Sequence, residues 1–451
     1  MGANRRSMVV ALLLALLASV ARAAEPEPEP QPKGETPSPE ADASEKKWQW
    51  PVYLHFGWDD GITYEAGRHL HLPHYDERVH LFEKQRRIVG RVGGRLHLDA
   101  ATFATTGDVR AIPSDAEVRR AYVTTTGSIR TWHPLYYKVE FGASQQRLFL
   151  NAAWLEVRDL WRGMALRVGV FDAPLSLENV TSSNAYPFLE PAQPVGAMAP
   201  GTKGGIQLTQ GGAADDRSAW TFGYYTDTQD VDIGDQTESP ARLISRMTYV
   251  PRRFEVPERR RLLHLGFSAQ YVVSSAARVR YTARPESKLA PQLLDTGDID
   301  AKQAAVSALE LAYASGPWLL QSEYLGSNVE ETSGENPFFW GGYVWITRSL
   351  TGESRPYDRR QGVFGMLEPS SPVSIRERRW RGAWEVGIRY SYLTLESGNV
   401  RGGQSHATSL GVNWYWNRHL RFMIDYGLTF VGGVPDHGTV SVFQTRMQIV
   451  Y

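Results

Sequence analysis

The amino-acid sequence predicts an all-β fold, a 16-stranded antiparallel transmembrane β-barrel with an inward-folded third external loop. Three observations carry that expectation. Sixteen segments of roughly ten residues alternate apolar and polar side chains between turn residues. The connections joining them alternate between short and long, as short turns on one side of a membrane and longer loops on the other require. The last segment, TRMQIVY, sets Met447, Ile449 and Tyr451 on one face and ends on an aromatic residue, which resembles the terminal signal that outer-membrane assembly machinery reads.

Composition bounds the compartment. The 451 residues are 42% hydrophobic and 11% aromatic, enough apolar surface for a large fold. Past the extreme N-terminus no window reaches the roughly 18 uninterrupted apolar residues of a membrane helix, so a membrane would be crossed by strands. Arg5 and Arg6, the apolar run Met8 to Val20 and Ala21-Arg22-Ala23 predict a Sec signal peptide over residues 1–23 and export to a bacterial envelope. The absence of cysteine excludes disulfides, thiolate metal sites and a Cys nucleophile. Removing the signal takes away Arg5, Arg6 and Arg22 and no acid, so 46 basic side chains then face 49 acidic ones. Any anion preference must come from local placement of charge, and no nucleic-acid partner or cofactor is expected.

Taken in order, residues 24–47 (AEPEPEPQPKGETPSPEADASEKK) lack apolar side chains to offset ordering entropy and form a disordered Pro/Glu-rich spacer. Residues 48–89 read as a short N-terminal periplasmic strand segment. Within it His69 and His71 share a strand face beside His74, Asp76 and Glu77, a spacing that can chelate zinc but also suits a plain polar segment, and no metal site is expected. The barrel domain fills 90–451, with strands expected over 91–103, 118–129, 135–143, 149–157, 165–171, 204–210, 220–226, 242–250 and 263–273. Seven more follow over 304–314, 319–329, 339–350, 384–395, 407–416, 420–430 and 439–451. Thr351 to Arg381 breaks the alternation of connection lengths and reads as an extended periplasmic segment.

The period of two sets the facing. Leu96 and Leu98, then Tyr137, Val139 and Phe141, then Trp384, Val386, Ile388, Tyr390 and Tyr392 face lipid. Arg91, Arg95, His97, Asp99, Lys138, Glu140, Glu385 and Arg389 face the lumen, where charge suits a water-filled channel better than a sealed apolar core. Trp384, Tyr390, Tyr392, Trp414, Trp416 and Tyr426 fit interfacial girdles. The segment between Pro174 and Lys203 has no regular period yet keeps Leu175, Leu177, Tyr186, Phe188 and Leu189, as a loop packed inside something would.

Six stretches in one order, GGRLHLDAATF, EVRRAYVTTTG, LRVGVFDAPLSLENVTSSNAYPFLEP, VWITRSLTGESRPYD, GAWEVGIRYSYLTL and SLGVNWYWNRHLRFMIDYG, resemble the phosphate-selective porin O/P family. The resemblance implies passive diffusion of small hydrophilic solutes through an outer-membrane channel, with a third loop narrowing the pore. It further implies that Arg and Lys side chains draw in small anions such as phosphate, and that the partners are outer-membrane lipid and two further copies in a homotrimer. Asp172-Ala173-Pro174 stands where the family usually has Lys-Glu-Pro, placing an acid near the loop entrance.

Anion selection needs several cations close together in a narrowed passage, because one Arg in a wide lumen is screened within about 10 Å. The candidates are Arg91, Arg95, Arg119, Lys138, Arg167, Lys203 and Arg246. The alternative is a general non-selective porin in which Asp99, Glu140 and Glu156 balance them. A barrel-based enzyme would need a partnered His, for which Ser405-His406 and Asp436-His437, in expected external loops, are the candidates, and no catalytic residue is assigned.

Overall fold

The computed structural model describes residues 52–57, 61–67, 86–130, 133–144, 147–211, 217–227, 240–251, 253–256, 259–374, 377–378, 380–433 and 437–451. The expected signal peptide, the spacer and the His69, His71 and His74 group lie outside these residues.

In chain order the strands are β1 (Val52–Gly57), β2 (Gly61–Gly67), β3 (Arg86–Gly107), β4 (Asp115–Ile129), β5 (Leu135–Ser144), β6 (Arg147–Val157), β7 (Ala165–Asp172), β8 (Thr202–Gln210), β9 (Ser218–Thr226), β10 (Ala241–Tyr249) and β11 (Arg253–Val256). They continue as β12 (Arg259–Val279), β13 (Thr282–Ala283), β14 (Leu294–Asp295), β15 (Ile299–Ser315), β16 (Trp318–Glu331), β17 (Phe338–Ser349), β18 (Tyr357–Asp358), β19 (Val363–Phe364), β20 (Ala383–Ser397), β21 (Val400–Tyr415), β22 (Leu420–Gly432) and β23 (Gly438–Val450). Two short helices, α1 (Leu177–Val180) and α2 (Gln193–Met198), interrupt the connection between β7 and β8.

Sixteen of these strands pair antiparallel in sequence order, and β23 returns to β3 with Arg446 opposite Asp99, so the sheet closes on itself. Closure removes the unpaired edge that a bilayer would not tolerate. The remaining edge of β3, beyond the reach of β23, is covered by β2, with Ile62 opposite Val92. No helix among the described residues is long and apolar enough to cross a membrane.

Burial alternates regularly on β15, β17 and β22 and less so on β4, β7 and β20, which reveals two kinds of wall. On β15, Leu309, Leu311 and Tyr313 are exposed while Ala304, Val306, Ala308 and Ala312 are buried. Those inward alanines and valines pack with Leu175, Leu177, Phe188, Val195 and Met198 of the β7–β8 connection in one apolar core. The lumen is therefore not uniformly polar, as a period-two reading of charges suggested. Part of its wall faces an apolar core, whereas the inward cations Arg119, Lys138 and Arg167 of β4 to β7 keep partial exposure, with Glu140 and Glu156 buried among them.

Two boundaries correct the sequence reading. The expected loop before Ala407 is occupied by β21, which starts at Val400, leaving Gly398 and Asn399 as the turn. The 351–381 connection is not extended: it contains the β18–β19 pair, and Arg355 and Tyr357 within it bond to Glu385 and His264 of the barrel wall.

Candidate functional site: the loop-narrowed lumen

Residues 173–201 lie against the inner wall, and their apolar side chains are what seats them. Leu175, Leu177, Phe188 and Leu189 are buried, and Phe188 rests over Gly387 and Gly411, which oppose each other on β20 and β21. An irregular segment must also satisfy backbone groups that no ladder serves. Wall side chains do so. Glu323 accepts from the Leu177 and Glu178 N–H groups, both at 2.8 Å, and Asp425 accepts from Leu189 N–H at 2.7 Å. In the other direction Arg446 donates to Leu189 O at 2.6 Å, Arg421 to Tyr186 O at 2.7 Å, and Asn413 to Pro187 O at 2.8 Å. Burial pushes the Glu178 carboxyl up to about 7, against the pull of Arg389 at 3.7 Å and of the Ala192 N–H. For Glu190, burial is outweighed by Arg119, Arg120 and Arg446, which hold it well below the usual carboxylate range.

The expected cations are dispersed along the wall opposite this loop rather than gathered at one point. Arg95 and Lys138 share Glu140, at 2.8 and 3.3 Å. Arg119 binds Glu190 through Nε and Nη2, and Arg120 lies 3.8 Å from the same carboxylate. Arg167 reaches Glu156 at 2.6 Å, and Lys203 reaches Asp227 at 2.7 Å. Arg246 is different: it is buried, bound to Glu310, and caps the Gln361 and Gly362 carbonyls of the turn. Arg91 is exposed and makes no ion pair among the described residues. Asp172 is exposed at the loop entrance and accepts from Thr202 Oγ1 at 2.6 Å.

Sequence reasoning missed Arg120, Arg158, Arg242 and Arg360, each of which joins one of these acids. Arg242 shares its strand face with Arg246 and was legible from parity. Arg119 and Arg120 both approach Glu190, which strict alternation forbids. A register shift between His97 and Leu98, where β3 meets β4, allows it.

Residues 91–451 match the family described as phosphate-selective porin O and P. The chain belongs to that family. It is 28% identical over 378 residues to an uncharacterized protein of Caulobacter vibrioides, covering 79% of this chain and 73% of that one. It is 29% identical over 164 residues to Porin O of Pseudomonas aeruginosa, covering 33% of this chain and 36% of that protein. Among solved structures, in-vitro folded OmpT of Vibrio cholerae in a trimer form superposes with a TM-score of 0.52 at 11% identity, over 81% of this chain and 100% of that one. The anion-selective porin from Comamonas acidovorans superposes at 0.50 and 10% identity, over 81% and 100%. The structures share the fold.

As a porin O/P member the protein is a channel of the bacterial outer membrane, and the paired residues considered for catalysis have other partners. Ser405 and His406 lie in β21 rather than in a loop and face opposite ways. Ser405 is buried and donates to Gln193, while His406 is exposed and bonds Tyr390. His437 pairs with Asp108 at 3.0 Å, and Asp436 lies outside the described residues.

Proposed function

We propose that this porin is selective for small anions, phosphate among them, that it works as a homotrimer, and that residues 1–23 and 24–47 are its export signal and spacer. The observation that carries the reading is an excess of cations over acids on the half-exposed wall. Glu140, Glu156 and Asp227 each hold at least two basic side chains, so each carboxylate gathers cations without cancelling them. The exposure of these cations, 28% for Lys138 and Arg158 and 21% for Arg167, contrasts with 1% for Arg389 on the sealed wall. Water therefore reaches the cationic wall, and an ion following that water meets net positive charge. The relatives named phosphate-selective, anion-selective and trimer form support the same reading.

Reconstitution into planar bilayers tests it. Openings in steps of three, with a reversal potential favouring chloride over potassium, are expected. A potassium preference, or none, would replace this reading with that of a general porin, in which the acids fully balance the wall.

A further inference from the structure

We propose that a groove across the outer face of β10, β12, β15 and β16 holds one acyl chain of a membrane lipid, with the carbonyl end of that chain at Ser307 and Asn328. The proposal rests on the outer-membrane barrel alone and does not depend on which ions the channel prefers.

The groove follows from register. Ser245 of β10 stands opposite Ala269 of β12, Ala269 opposite Ser307 of β15, and Ser307 opposite Gly326 of β16. These small residues form one row across neighbouring strands, closed at its ends by Phe222, opposite Ser245, and Trp340, opposite Gly326. At the usual strand spacing of about 4.8 Å, the row with its end residues spans roughly 24 Å. The next outward row toward the short turns is large throughout, with Met247, Phe267, Leu309 and Tyr324 opposite one another in turn. The next row toward the long loops begins with Leu243 and Tyr271, but Ala305 and Asn328 follow and leave a gap before Phe338. The result is a depression of about 440 Å³, floored by small side chains, walled on one side and open through that gap. Its volume falls in the range of roughly 300–1,000 Å³ usual for ligand sites.

The bilayer lies against this face. Leu265, Leu311 and Tyr313 beside the groove are exposed apolar side chains of the lipid face. A void there would forfeit dispersion contacts along its whole lining, and a flexible acyl chain can follow the groove and restore them. A neighbouring barrel would meet this convex wall with another convex wall and bridge the groove rather than fill it.

The polar groups say which end of the lipid sits where. The side chains of Ser245, Ser307 and Asn328 make no hydrogen bond among the described residues. In hydrocarbon an unpaired donor is costly, and a plain alkyl chain would leave these unpaired. The ester or amide carbonyl at the head of an acyl chain accepts from the Ser307 hydroxyl and the Asn328 amide, which stand at the open side. Phe338 borders the gap by lying on bare backbone: a Cβ added to Gly326 would come 2.9 Å from Phe338 Cζ.

The experiment reconstitutes the full-length porin in vesicles of phosphatidylethanolamine and phosphatidylglycerol. A small fraction of the phosphatidylethanolamine carries a photoreactive diazirine in mid-chain, and labelled peptides are mapped by mass spectrometry after illumination. The lipid fills both leaflets, so the probe reaches the groove in either orientation of the barrel. Labelling of residues 243–247, 267–271, 305–309 and 324–328 should exceed that of the outward positions of β21 and β22 roughly tenfold. Ser307→Leu, which fills the row, should remove the excess. Ala269→Leu fills the same row and serves if Ser307→Leu fails to assemble. Asn328→Ala, which takes away one hydrogen bond, should lower the excess roughly threefold to tenfold. Thr408→Leu, at an outward position of β21, should leave it unchanged. Even labelling around the barrel, or an excess that survives both filling variants, overturns the proposal. Labelling of the groove below that of β21 and β22 overturns it too, and assigns the groove to a protein surface instead.

Discussion

Arg446 grips Asp99 with two hydrogen bonds, Nε to Oδ1 at 2.7 Å and Nη2 to Oδ2 at 2.6 Å, across the seam where the last barrel strand meets the first. The same guanidinium holds Leu189 O at 2.6 Å and lies 2.8 Å from Glu190, so the side chain that pins the seam also pins the constricting loop.

Replacing Arg446 by Ala would leave Asp99 buried and unpaired and the Leu189 carbonyl without its donor. Breaking a buried pair from one side costs about 3–5 kcal/mol. The expected outcome is a lower urea midpoint for unfolding in vesicles, read by tryptophan fluorescence. Arg446→Lys should recover only part of it, because an ammonium cannot reproduce the fork.

Arg91→Ala combined with Arg95→Ala removes two cations from the water-lined side. Arg91 is exposed but Arg95 is part-buried against Glu140 at 2.8 Å, so the chloride-to-potassium permeability ratio should fall roughly twofold to fivefold while the barrel still assembles, Lys138 keeping Glu140 paired. Arg389→Gln should do the reverse. Arg389 is sealed behind the loop, paired with Glu286 at 2.6 Å, and its loss should show in unfolding rather than in reversal potential.

Gly411→Ala probes the seat of Phe188. A Cβ there would lie 3.2 Å from the Phe188 ring and 3.1 Å from Asp425 Oδ1, tight enough that ring and loop must shift by a few tenths of an ångström. Single-channel conductance should change measurably while the barrel still assembles. Gly196→Ala, where the added methyl meets nothing within 4 Å, should behave as the wild type.

The raised Glu178 carboxyl, at about 7, ties the loop to pH. Between the ordinary carboxylate range and 7 the packed loop holds a proton that the released loop does not, so its local stability falls as pH rises through that window and is full below it. Amide exchange over residues 176–198, corrected for intrinsic rates, should show more protection at pH 5 than at pH 8. Glu178→Gln should shrink the difference.

The barrel was legible because closure and period two leave few alternatives once each strand is bounded by turns. Leu309, Leu311 and Tyr313 announce a lipid face wherever the register falls. The inward side was less legible, since Ala304, Val306 and Ala308 are apolar for the sake of a loop more than a hundred residues earlier in the chain. Lys138, Arg119 and Arg167 were found by parity, and so was Glu140, two residues from Lys138 on the same strand face, but Glu156 pairs with Arg167 from the neighbouring strand and Glu190 comes from the loop. Arg360 left no periodic signal because the turn that aims it follows no period. Its position depends on Arg246, which parity sets among the lumen cations, and on the His264–Tyr357 contact.

The pairing of β23 with β3 joins residues such as Arg446 and Asp99 that are 347 positions apart. Contacts so distant in sequence form slowly, because the intervening chain must be ordered first. Until they form, β3 and β23 each offer a bare edge to any other strand, including one from a second molecule. During assembly the seam is thus the latest and most error-prone step, and a chaperone that shields one of those two edges would raise the yield of closed barrels more than one acting elsewhere on the chain.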